Sequence, residues 1–157
     1  MNGRKWPVYL AWIAGTEAVG ALSGWLTRGG AERYARLIVK PPLSPPAPVF
    51  PAVWAVLFAL MGAGAARVWL SAPGPARTGA LTAFGVQLAF NFCWSLIFFN
   101  AGAYGVALLW LAALWGLILW MLLAFRRVDR PAARMQLPYL LWVGFAGYLN
   151  FGVWALN

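Results

Sequence analysis

A chain of 157 residues has room for one domain, but 63% of this one is hydrophobic and only 10% is charged, which excludes an ordinary soluble domain. Its net charge of +9 would suggest nucleic acid in a soluble protein; here the basic residues flank apolar runs, where they report membrane topology and not a nucleic-acid surface. One cysteine and no histidine exclude an internal disulfide, a histidine-based zinc site, a Cys–His nucleophile and a histidine-ligated haem.

A bilayer core about 30 Å thick takes roughly 20 apolar residues at about 1.5 Å each. Five runs reach that length, which predicts an all-α integral membrane fold: a single five-transmembrane-helix bundle over residues 1–157. The first helix, about 6–26, follows Arg4 and Lys5, and Ala21-Leu22-Ser23 resembles a signal-peptide cleavage site. The run is long for a signal core and Glu17 interrupts it, so a retained helix is the better reading. Gly29-Gly30 punctuates its end, and a connector of about 27–48 follows, dense in proline and headed by Lys40.

The second helix spans about 49–70 and the third about 79–99, separated by Pro73-Gly74-Pro75. Asn100-Ala101-Gly102 is so short a link that the third helix and the fourth, about 102–125, must be antiparallel neighbours. Asp129-Arg130-Pro131 precedes the fifth, about 135–156, with Asp129 as its cap and Pro131 in its first turn.

Arg4, Lys5, Arg67, Arg77, Arg126, Arg127, Arg130 and Arg134 fall on the amino-terminal side of this bundle; Arg28, Arg33, Arg36 and Lys40 fall on the other. Eight against four predicts a cytoplasmic amino terminus.

Polar side chains inside a bilayer are costly and turn toward a neighbouring helix or a cavity. Gln87, Asn91 and Ser95, four apart, form one stripe down the third helix with Trp94 beside it. They serve either as interhelical glue or as a cavity wall that orients a ligand's polar group. On the fifth helix Tyr139, Trp142, Ala146 and Asn150 share a face, with a slot expected beside Ala146 and a kink permitted by Pro138. Trp6, Trp25, Trp69 and Trp154 read as interfacial belts, and Trp110, Trp115 and Trp120 as lipid-facing or packing residues. Glu17 is expected to donate a hydrogen bond to a neighbouring helix, and Cys93 to be inert packing. Small residues on the third helix (Gly79, Ala83, Gly85, Ala89) make it the expected interface of a homodimer.

Taken together, "KPPLSPPAPVFPAVW", "AARVW", "QLAFNFCWSLIFF" and "PYLLWVGFAGYLNFGVWALN" stand in the order and spacing of the translocator protein family, the tryptophan-rich sensory proteins or peripheral benzodiazepine receptors (TspO/MBR). The chain resembles that family over essentially its whole length. The resemblance implies a membrane receptor-like protein whose pocket opens toward the loop between the first two helices. Its ligands would be porphyrins such as protoporphyrin IX, sterols in some members, and isoquinoline carboxamide or benzodiazepine-type drugs. Trp54, Asn91, Trp94, Tyr139, Trp142, Ala146 and Asn150 match the positions that line or support this pocket, and the proline run becomes its lid. A flat porphyrin can stack on tryptophan, and its propionates would be drawn to Arg28, Arg33, Arg36 and Lys40, unless those cations meet lipid phosphates.

Without histidine, metal-free porphyrin is easier to explain than haem, and no cofactor is required. The alternatives to a binding and regulatory role are a porphyrin transporter and a light-dependent porphyrin-degrading enzyme; the last would use Trp142 together with Tyr34. The chain departs from the family where its loop tryptophan is replaced by Leu43 and an aromatic pair by Tyr34-Ala35, and in lacking the basic residue of the sterol pattern after Tyr148. The expected location is a bacterial cell membrane, crossed several times.

Overall fold

Pro7 in the first turn fixes a helical φ where no intrahelical N–H partner is needed, and from Trp6 the computed structural model, which describes residues 3–157, runs helical without interruption to Leu37. The first two positions of the expected domain lie outside the described residues. This helix, α1 (Trp6–Leu37), has 32 residues, so it is roughly 48 Å long at about 1.5 Å per residue. The expected end at Gly29-Gly30 is therefore wrong. A Cβ on Gly30 would collide with the carbonyl oxygen of Phe99, so this glycine permits a close helix–helix approach and does not terminate the helix. The connector shrinks accordingly to residues 38–48, and the cations assigned to it, Arg28, Arg33 and Arg36, are helical.

α2 (Val49–Trp69), α3 (Pro75–Ser95) and α4 (Tyr104–Val128) follow the expected runs, although α3 starts four residues early because Pro75 opens its first turn. α3 closes in a π-helical turn, Leu96–Asn100, which brings Phe98 and Phe99 against the distal part of α1. The fifth expected helix, about 135–156, is α6 (Leu137–Leu156), and a short helix, α5 (Arg130–Met135), precedes it. The break falls at Gln136, and Pro138 sits in the first turn of α6, opening that helix instead of kinking it. Asp129 does cap as expected: Oδ1 accepts the Ala132 N–H at 2.7 Å.

α2 and α4, together with α3 and its π-turn and α5–α6 taken as one, give four segments long and apolar enough to cross a membrane: Val49–Trp69, Pro75–Asn100, Tyr104–Val128 and Arg130–Leu156. α1 has the length but not the mean hydropathy, being diluted by Trp, Gly, Thr, Ser and Glu17. Among the described residues there is no strand, and the chain is an all-helical, multi-pass integral membrane protein.

Lipid tails are as apolar as leucine, so close packing and hydrogen bonds hold such a bundle together more than escape from water does. α1 lies on α2, where Gly62 admits the backbone of Ile13 and the Thr16 hydroxyl donates to the Phe58 carbonyl at 2.8 Å. Thr16, not its neighbour Glu17, makes this cross-helix bond; Glu17 has no hydrogen-bond partner among the described residues. The central seam is filled by Met61, Phe84, Leu114, Ile118, Met121, Phe125 and Val143. At one end Arg67 grips Asp129 with two bonds of 2.9 and 3.0 Å, tying the end of α2 to the α4–α5 junction. Arg77 donates there to the carbonyls of Trp69 and Ser71. The opposite end carries the connector and the distal part of α1.

Trp6 and Trp25, each 59% exposed, are separated by roughly 28 Å of helix at about 1.5 Å per residue, close to the thickness of a hydrocarbon core of about 30 Å. Residues 26–37 of α1 continue beyond Trp25.

Candidate functional site

α3 and α6 bring the inward polar residues together in two tiers. In the first, the Tyr139 hydroxyl donates to Gln87 Oε1 at 2.7 Å and accepts from Asn91 Nδ2 at 2.7 Å. All three side chains are buried, so each bond is made where an unpaired group would be expensive. The Gln87 amide nitrogen lies 3.7 Å from the sulfur of Met61, which adds a weak contact to α2. In the second tier the Trp94 indole N–H donates to Asn150 Oδ1 at 3.2 Å, and Asn150 Nδ2 donates to the Tyr104 carbonyl at 2.8 Å. The four-residue spacing of Gln87 and Asn91 puts them on one face of α3, and Trp94 continues that face.

Aromatic rings complete the wall. Trp54 meets Tyr139 edge-on at 6.2 Å and leans on Phe58 at 5.7 Å; Trp142 meets Phe50 edge-on at 6.0 Å and Phe145 at 5.6 Å. α2 and α6 thus face each other through rings and not through close backbone packing. Beneath Trp94 a second cluster stacks Phe98 on Trp94 at 5.0 Å and sets Phe98 against Tyr104 and Tyr34.

Asn91 thus meets Tyr139, Trp94 meets Asn150, and Trp54 touches Tyr139. Ala146 lies on the same inward face of α6 and is buried. Two open and almost wholly apolar grooves lie elsewhere, between α1 and α3. One of about 370 Å³ is lined by Val19, Leu22, Gly85, Ala89 and Cys93, among others; one of about 270 Å³ lies by Ala11, Trp12, Gly15 and Phe84. Ser95 is only partly buried and joins neither polar tier. Tyr34 lies in α1 against Phe98 and Phe99, with the Lys40 ammonium over its ring at 5.1 Å; Trp142 has different neighbours, so the two residues of the photo-oxidative alternative are not brought together.

Of the four cations, Arg28 folds back on the Trp25 ring and carbonyl, and Lys40 donates to the carbonyls of Ala35 and Ile38, closing the end of α1. Arg33 and Arg36 are exposed on the outer part of α1. No cluster of three metal-ligating side chains occurs among the described residues.

Three contacts were not foreseen. Pro41 is buried against the bare Cα of Gly152, the Tyr148 hydroxyl donates to the Pro42 carbonyl at 2.8 Å, and Asn157 pairs with Val39 in both directions, at 3.0 and 2.8 Å. Gln87 was visible as part of the polar stripe but was not placed in the site; its position one turn before Asn91 was the available signal.

Residues 12–155 match the TspO/MBR family. The chain belongs to the TspO/MBR family. It is 38% identical to the tryptophan-rich protein TspO of Chlorobaculum tepidum, over 89% of each chain. It is 34% identical to a translocator protein of Bos taurus, over 88% of this chain and 83% of the relative. A tryptophan-rich sensory protein of Cereibacter sphaeroides is 33% identical, over 97% of this chain and 92% of the relative. Both polar tiers and the connector of this TspO/MBR chain lie within the matched segment, apart from the Asn157 side chain.

Proposed function

We propose that this protein binds a planar tetrapyrrole, with protoporphyrin IX as the probe of choice, in the seam between α2, α3 and α6, beneath the 38–48 connector. The observation that carries the reading is the α2–α6 seam itself. Trp54, Phe50 and Trp142 line it with rotatable rings while Asn91, Tyr139 and Gln87 stand behind them, already paired. A flat ligand entering there exchanges ring–ring contacts for ring–porphyrin stacking and need not break backbone packing. Arg33 and Arg36, with Lys40 at the root of the connector, supply positive charge for propionates at that end. Sterols and drug-like aromatic molecules suit the same wall less well, since they lack the paired carboxylates. The role that follows is regulatory or tetrapyrrole-handling.

In this reading α1 crosses the membrane as a fifth span, the amino terminus is cytoplasmic, and the membrane is that of a bacterial cell. Two copies pair through the lipid face of α3, where exposed Gly85 and Ala89 line the larger groove. Cross-linking in bilayers that yields monomer alone would count against that pairing.

Tryptophan fluorescence quenching by protoporphyrin IX in lipid nanodiscs, in darkness and then in light, tests the binding. Saturable quenching weakened by Trp142→Phe or Asn91→Ala is expected. Linear quenching indifferent to both would mean partitioning into lipid, and loss of porphyrin absorbance only in light, abolished by Trp142→Phe, would replace binding by photochemistry.

A further inference from the structure

We infer that the carboxyl-terminal end of α6 is a latch for the connector: Tyr148, Gly152 and Asn157 are positioning residues that set how often the 38–48 lid opens and how fast a ligand beneath it exchanges. The second half of this statement rests on the binding reading above; the first does not.

The connector has little reason of its own to stay in place. It contains no helix from Ile38 to Pro48, its prolines remove N–H donors, and Leu43 at its tip is 82% exposed with φ at 67°. A bulky residue in the left-handed region carries a backbone penalty, so the conformation persists only where the surroundings impose it. They impose it at two places. At the root, Lys40 closes the last turn of α1 through the Ala35 carbonyl at 3.1 Å.

Along α6 three connector residues, Val39, Pro41 and Pro42, are held by three residues of one helix end. The Val39 N–H donates to Asn157 Oδ1 at 3.0 Å while Asn157 Nδ2 donates to the Val39 carbonyl at 2.8 Å, so a side-chain amide mimics a strand partner. Pro41 fills the space that a side chain at 152 would occupy, and the Pro42 carbonyl accepts from Tyr148. Tyr148 and Gly152 are one turn apart, so they present a single face, while Asn150 and Ala146 of the same helix point inward to the polar tiers. One helix therefore carries both the pocket wall and the catch that closes it.

The bonds at Val39, Pro42 and Asn157 are exposed, and exposed hydrogen bonds are individually weak because water competes for the same groups, which suits a catch that must release. The Val39 amide is a direct reporter, because Asn157 is its acceptor and Val39 is exposed.

Amide hydrogen exchange of the full chain in nanodiscs, paired with stopped-flow release of protoporphyrin IX, tests this on Asn157→Ala, Tyr148→Phe and the double variant. Exchange at Val39 should rise about tenfold in Asn157→Ala, in the range set by losing one such bond. In the double variant the remaining connector amides should follow and porphyrin should leave several-fold faster, with the thermal midpoint nearly unchanged. Gly152→Ala, which displaces Pro41 sterically, should act in the same direction. Unchanged exchange at Val39 overturns the latch. Faster exchange with unchanged porphyrin release overturns its control of the ligand. Absence of saturable porphyrin binding to the wild type would sink the binding reading separately, and the exchange measurement would still decide the latch.

Discussion

The hydroxyl of Tyr139 and the amide of Gln87 meet at 2.7 Å, 52 residues apart in sequence, and the same hydroxyl accepts from Asn91. A single phenol oxygen is thus both donor and acceptor for two amides of α3. Removing it with Tyr139→Phe leaves Gln87 Oε1 and one Asn91 N–H unpartnered in an apolar interior.

The expected loss of stability for Tyr139→Phe is about 1–2 kcal/mol, near the upper end of measured interhelical hydrogen bonds in membranes because two partners are orphaned at once. Unfolding by denaturing detergent would measure it. A loss under a few tenths would mean that the two amides find other partners. Asn91→Ala removes one partner only and should cost less.

Asp129 joins an ion pair to a helix cap, so its substitutions should separate the two. Asp129→Ala removes both the Arg67 bonds and the bond from Ala132, while Asp129→Asn keeps a side-chain acceptor for the cap. Asn should therefore retain part of the stability that Ala loses. Equal losses would assign the whole effect to the charge.

The same carboxylate gives a pH dependence. Hydrogen bonding to Arg67, and then to the Ala132 N–H, holds its pKa below the ordinary value of 3.8. A depressed folded-state pKa contributes stability above the unfolded value, and that contribution is lost as pH falls through the folded one. Stability should thus owe no slope to this group between pH 7 and about 5, and Asp129 should contribute a decline below about 4 that Asp129→Asn abolishes. A decline of the same size in Asp129→Asn would place its origin elsewhere.

Gly29 and Gly30 should respond in opposite directions. Nothing lies within 4 Å of a Cβ at Gly29, so Gly29→Ala should stabilise by up to about 1 kcal/mol through helix propensity alone. At Gly30 the obstacle is the Phe99 backbone, which cannot swing aside as a side chain tip can, so Gly30→Ala should destabilise by about 1–3 kcal/mol. Thermal unfolding of the two variants checks this, and a stabilised Gly30→Ala would refute the contact.

Much of this was legible in sequence, and the exceptions share a cause. The long apolar runs located α2, α3 and α4, and the spacing of Asn91 with Trp94, and of Tyr139 with Asn150, put the right groups on inward faces. Gly29-Gly30 misled because the pair has the local signature of a helix end, while its reason for being there lies 69 residues away at Phe99. Gln136, which separates α5 from α6, donates to the Leu60 carbonyl of α2 and fits against Gly64, again a relationship between distant segments. Ring-filled seams and open grooves depend on how side chains interleave, and spacing along one helix says nothing of that.

The uninterrupted length of α1 makes it a lever. A rod of 32 residues, close to Phe99 at Gly30 and with the connector hung from its tip, passes a change of tilt along its length. Membranes of different thickness impose different tilts on the helices that cross them, at a cost of fractions of a kcal/mol per Å. With α1 as the proposed fifth span, a small angular change between Trp6 and Trp25 is carried as displacement to Leu37, and the connector residues that follow at once, Val39 to Pro42, are fixed to α6. In the proposed reading, bilayer thickness is then a mechanical load on the connector, set by the surrounding lipid and independent of any ligand.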